Sequence, residues 1–157
     1  MRVTIMSREK YLSEYKPPKE NMVAIRISTE APVRDIRDKL FDDVLYLGFE
    51  DYLYGETDVV GHHRFSDDEK IQIDKFIEKY ADRDFVVHCQ KGASRSPAVG
   101  YYILKTLGET EELIEKRKTG LYSPNIDVYV TLNGETLDPK NPEIREKFKN
   151  EIKTITD

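Results

Sequence analysis

The chain is short of several things, and each shortage excludes a class of protein. It has a single cysteine, Cys89, so no disulfide can form within it. No apolar run approaches the ~18 residues that would span a bilayer. The opening MRVTIMSREK lacks the apolar stretch of a secretory leader. A reducing, cytoplasmic setting is therefore the expectation. No block of five like charges occurs, and the net charge is −5 over 157 residues. That balance argues against nonspecific nucleic-acid binding and against a basic membrane-docking surface. The glycines form neither a dinucleotide fingerprint nor a Walker loop, so no nucleotide cofactor is expected. Repeats and low-complexity stretches are also missing. What is left is a charged domain of ordinary size, large enough to bury a core without cross-links.

Strand-like and helix-like segments alternate along the chain. Residues 2–6 (RVTIM), 22–27 (MVAIRI), 44–49 (VLYLGF) and 85–88 (FVVH) are rich in β-branched and aromatic residues and read as strands. Residues 7–15 read as a short helix, closed by the Pro17-Pro18 breaker. Ser66-Asp67-Asp68-Glu69 is a capping box before Ile73, Phe76, Ile77 and Tyr80 at helical spacing. Ser96-Pro97 opens a helix that Gly108 closes, and residues 111–118 form another that Gly120 stops. Ser123-Pro124 reads as a cap and first turn for a helix over 125–132, with Asn133-Gly134 as its C-cap. Asn141-Pro142 starts a last, charge-dense helix with Ile144, Phe148 and Ile152 on one face. The expected fold is a single-domain α/β structure, with a mostly parallel sheet of four to five strands flanked by helices. Its core domain would cover residues 1–135. Residues 136–157 would form a C-terminal helix packed on it or extending from it.

Chemistry concentrates in FVVHCQKGASRSPAVGYYIL, residues 85–104. A buried strand ends at Cys89, a short loop follows, and a helix begins at Ser96-Pro97. Strand ends beside helix N-termini are where open α/β sheets bind ligands. Amides of a tight loop can converge on an anion, and Gly92 permits a backbone that a Cβ would hinder. The helix N-terminus pushes a cysteine toward thiolate. Arg95 offers a planar fork of donors suited to two phosphate oxygens. The hydroxyls of Ser94 and Ser96 can donate to the sulfur or to the loop. A thiolate nucleophile would thus sit beside a pocket for a dianion.

The run His88-Cys89-Gln90-Lys91-Gly92-Ala93-Ser94-Arg95-Ser96-Pro97 resembles the phosphate-binding loop of cysteine-dependent protein tyrosine phosphatases. Its form is most similar to the dual-specificity branch, in its compact bacterial and phage type. The resemblance implies a phosphatase-like fold and a protein tyrosine or dual-specificity phosphatase activity. Cys89 would attack phosphorus and form a cysteinyl-phosphate, and Arg95 would stabilise the transition state. The amides of Gln90, Lys91, Gly92, Ala93, Ser94 and Arg95 would complete the cradle. Ser96 would assist the sulfur as it leaves, and His88 would support the thiolate without acting as a base. No metal or other cofactor is implied. The substrate would be a phosphorylated protein carrying phosphotyrosine, with phosphoserine or phosphothreonine as further targets, and the enzyme would act as a monomer. The same chemistry on a phosphoinositide or an RNA 5′-phosphate, or a catalytically weak phosphate-binding module, is the alternative.

Such an enzyme needs an acid for the leaving oxygen. Asp51 directly follows the strand VLYLGF and stands 38 residues before Cys89. Asp58 stands 31 before it, closer to the linear spacing of many dual-specificity enzymes. Strand context favours Asp51, because loop lengths drift while a catalytic atom must stay near the sheet edge. Asp67 and Asp68 are accounted for as first-turn acids. With no tryptophan in the chain, the Trp-Pro-Asp acid loop of larger tyrosine phosphatases is absent. His62-His63 reads as solvated loop rather than a metal pair, since no spaced cysteine or carboxylate joins it. Arg64 and Lys91 are candidates for recruiting an anion, and Tyr52 and Tyr54 for walling a pocket. Asp51→Ala is expected to lower turnover by roughly 10²–10⁴ on substrates with poor leaving groups, and by less with a nitrophenolate leaving group. Steady-state rates for the two substrates check this. The same loss in Asp58→Ala but not in Asp51→Ala would reverse the assignment.

Overall fold

The structure, a computed structural model, describes residues 1–13, 15–52 and 63–153. Its centre is a sheet of four parallel strands: β1 (Val3–Ser7), β2 (Val23–Ser28), β3 (Asp43–Gly48) and β4 (Phe85–Cys89). Their spatial order is β1-β4-β2-β3, so β4 lies inside the sheet between β1 and β2. Every residue of β4 is buried, as expected for an inner parallel strand covered on both faces. The α/β class and the parallel sheet agree with the alternating sequence pattern.

Side chains alternate across the sheet with period two, and this sorts the site residues. Ile5, Ile25, Ile27, Val87 and Cys89 face the larger core. Met6, Ala24 and Val86 face a smaller one that includes Tyr11 and Phe41. His88 therefore projects to the side opposite its neighbour Cys89. The small-core face is covered by α1 (Arg8–Ser13), whose Tyr11 ring lies 4.7 Å from that of His88.

The large-core face is covered by α2 (Asp67–Lys79) and α3 (Arg95–Thr106). In α2 the expected capping box forms: the Glu69 carboxylate accepts from the Ser66 amide at 3.0 Å and from its hydroxyl at 2.9 Å. Helix α3 is buried over most of its length, including Val99, Tyr101, Ile103 and Leu104. Next come α4 (Thr110–Lys118), α5 (Ile126–Leu132) and α6 (Pro142–Lys153). Gly108, Gly120 and Gly134 all take positive φ at the helix ends the sequence marks. On α6, Phe148 and Ile152 enter the large core, with the Phe148 ring edge-on to Tyr129 at 6.0 Å. Lys105 and Glu151 tie α3 to α6 at 2.7 Å.

Two local features differ from expectation. Ser123 does not cap α5. Asn125 does, its side-chain oxygen accepting from the Val128 amide at 3.1 Å. An Asn side chain satisfies a first-turn amide as readily as Ser, and starting the helix two residues later frees its amide nitrogen for other work. A 3-10 turn over Ile36–Leu40 is also present without a sequence signature. Its apolar residues carry no helical stripe, since Ile36 and Leu40 are exposed. A reciprocal box of Asp35 and Asp38 holds it, with Asp35 accepting from the Arg37 amide and Asp38 from the Asp35 amide, each at 2.9 Å. Among the described residues, no helix is long and apolar enough to cross a membrane.

Candidate functional site

The loop between β4 and α3 folds back on the end of β1. Gly92 takes φ +73°, and a Cβ built on it would lie 2.6 Å from the Met6 carbonyl carbon and 2.8 Å from the Ser7 nitrogen. Both the dihedral and the space demand glycine. The close approach sets the Gly92 amide to donate to Cys89 Sγ at 3.2 Å. At the helix start, the Ser96 hydroxyl lies 3.1 Å from the same sulfur. Burial pushes the Cys89 thiol up. The hydrogen bonds of Ser96 and Gly92, with the Arg95 charge, outweigh burial, and the net direction is down.

Cys89 forms part of a pocket of about 220 Å³, together with Glu50, Asp51, Gln90, Lys91, Ala93, Ser94 and Arg95. Arg95 is 5% exposed. One guanidinium nitrogen donates to the Phe49 carbonyl at 2.9 Å, which moors it to the exit of β3. Its Nε is buried and has no partner among the described residues. A buried guanidinium N–H left unpaired is costly, and an anion in the pocket would satisfy it.

Asp51 reaches the pocket from the segment after β3. Its Oδ1 accepts from Ser94 Oγ at 2.9 Å and from Asn125 Nδ2 at 2.7 Å. Ser94 therefore serves the carboxylate, while Ser96 serves the sulfur. Oδ2 carries no hydrogen bond among the described residues. Asp58 and His62 lie outside the described residues, as does Tyr54.

Other sequence candidates fall elsewhere. His63 lies exposed in a loop, as expected, and pairs with Glu69 at 2.6 Å. Arg64 stacks over the Tyr52 ring at 4.5 Å and lines a separate small pocket with it. Tyr52 is buried, so it is a packing residue. His88 is fully buried, and its ring nitrogens meet Arg26 at 3.0 Å and the Cys89 carbonyl at 3.3 Å. Among the described residues there is no cluster of histidine, cysteine and carboxylate side chains able to hold a metal.

Sequence reasoning missed the joint at Asn125. Its amide nitrogen donates to the Ser94 carbonyl at 3.0 Å, and its side chain donates to Asp51 and to the Tyr52 carbonyl at 2.8 Å. One residue thus fastens α5 to the Cys89–Arg95 loop and to the segment after β3. Its place at a helix start was a signal for capping, but nothing local marks a partner 74 residues away.

Compared with protein-family models and with curated proteins, the chain matches none.

If the Ser96 hydroxyl holds the thiol down, Ser96→Ala raises the pH at which iodoacetamide alkylates Cys89 at half its maximal rate. Wild type should have a midpoint below that of an ordinary cysteine, because the lowered group stays thiolate at lower pH. An unchanged midpoint in the variant would remove Ser96 from this role.

Proposed function

We propose that this protein is a metal-independent phosphatase that hydrolyses phosphotyrosine in proteins, and phosphoserine or phosphothreonine where they fit, through a cysteinyl-phosphate. One observation carries the reading. A cysteine with its thiol lowered by Ser96 and Gly92 shares a pocket with a buried arginine whose Nε has no partner among the described residues. The loop resemblance supplies the substrate class.

The chemistry follows from the donors. The phosphoryl group enters with its oxygens toward Arg95 and the loop amides. The Cys89 thiolate forms an S–P bond on the face opposite the ester oxygen, while the P–O bond breaks. Its electron pair leaves with the oxygen, which takes a proton from Asp51. Ser94 and Asn125 both donate to Oδ1, so they fix the carboxyl group and leave Oδ2 to carry that proton. In the second step, Asp51 removes a proton from water as the water oxygen attacks phosphorus. The S–P bond breaks and its electrons return to Sγ, where the Ser96 hydroxyl and the Gly92 amide receive the charge. Inorganic phosphate leaves. Arg95 and the amides provide the positive field that a metal would otherwise provide.

Hydrolysis of p-nitrophenyl phosphate in EDTA, by wild type and Cys89→Ser across pH, tests the reading. Activity with an acidic optimum in wild type and none in the variant is expected. Activity surviving in Cys89→Ser would rule out the cysteinyl-phosphate, and none in folded wild type would favour a phosphate-binding module instead.

A further inference from the structure

Beneath the loop, on the opposite face of the sheet, lies a polar cluster that the proposed chemistry does not use. At its centre is Arg26, midway along β2, only 2% exposed and in register with His88. A charge there needs partners. One guanidinium nitrogen donates to Asp38 Oδ2 at 3.1 Å and to the Val33 carbonyl at 2.8 Å. The rings of Tyr11 and Tyr46 flank it at 5.1 and 5.8 Å. Asp38 in turn accepts from both tyrosine hydroxyls at 2.7 Å. The ion pair alone would satisfy a purely structural role. A further donor does something else: Nε points at His88 Nε2, at 3.0 Å.

A guanidinium is a donor only. His88 Nε2 must therefore present its lone pair, and the ring proton must sit on Nδ1. Nδ1 lies 3.3 Å from the Cys89 carbonyl oxygen, so it donates there. The peptide after Cys89 is planar and trans, which sends the Gln90 amide away from that hydrogen bond. Fixing the histidine tautomer thus fixes the first peptide of the anion loop. We propose that Arg26 is a positioning residue that acts through the His88 ring to set the Cys89 end of the loop, and with it the geometry of the thiolate. The proposal rests on the reading of Cys89 as nucleophile.

The net effect of the surroundings of His88 supports the neutral ring. Burial, Arg26 from β2 and Arg8 from α1 disfavour its protonation. The Cys89 carbonyl and Asp38 from the 3-10 turn oppose them, and Tyr11 from α1 covers the ring. The outcome is a group lowered to about 4. With the group lowered that far, the His88 ring is neutral near pH 7.

Nitrogen NMR of the imidazole rings, between about pH 5 and 8, reads the tautomer directly, with Cys89 alkylation measured in parallel. Wild type is expected to show His88 as the Nδ1–H form without titration. Arg26→Met should change the tautomer mixture or bring the ring into titration, and should raise the alkylation midpoint. Arg26→Lys keeps the cation but removes the Nε donor. It should do the same, and it serves if the methionine variant does not fold. An Nε2–H ring in wild type would overturn the proposal. So would a folded Arg26 variant with both signals unchanged. Absence of p-nitrophenyl phosphate turnover in wild type, with the tautomer and midpoint shifts intact, would instead count against the phosphatase reading alone.

Discussion

The pocket depends on how closely the loop after β4 lies against the end of β1. Gly92 rests on the Met6–Ser7 peptide at a distance no Cβ could tolerate, in a dihedral region that favours glycine. That contact brings an amide onto Cys89 Sγ. It also brings the chain round so that α3 begins beside the sulfur, with Ser96 in its first turn. A thiol buried at a strand end would by itself resist ionisation. Here the loop's donors and Arg95 reverse the sign. The reactivity assigned to Cys89 is therefore a property of loop shape.

Two buried polar side chains extend the control outward. Asn125 gathers α5, the loop and the Asp51 segment into one hydrogen-bonded unit, so the carboxylate and the sulfur are held in a fixed relation. Arg26 works on the other face of the sheet, where period-two alternation has sent His88 away from the pocket. The two faces of one strand thus carry different tasks. Cys89 faces the pocket, and the residue before it connects to an ion-paired network centred on the buried Arg26.

Much of this was legible in the sequence because it is local. The β-rich runs, the capping box at Ser66 and the helix-ending glycines each act within a few residues, and the sheet and helices follow them. The Cys89–Arg95 loop is a single contiguous run, so its members could be named before any contact was known. The 3-10 turn escaped notice because carboxylate caps hold it and no apolar stripe marks it. Asn125 stands at the start of an expected helix, and Arg26 is one polar residue within an expected strand. Their roles depend on partners 74 and 62 residues away, which no local pattern encodes. Between Asp51 and Asp58, strand context pointed to the residue that lines the pocket, while Asp58 lies outside the described residues.

The most direct test of the central claim is to catch the intermediate. The protein would be mixed with a ³²P-labelled phosphotyrosyl peptide, quenched during turnover, and digested to map the label. The account predicts phosphorus bound to Cys89, with label lost when the thiol is blocked beforehand. Label on any other residue, or steady turnover with none on Cys89, would contradict it.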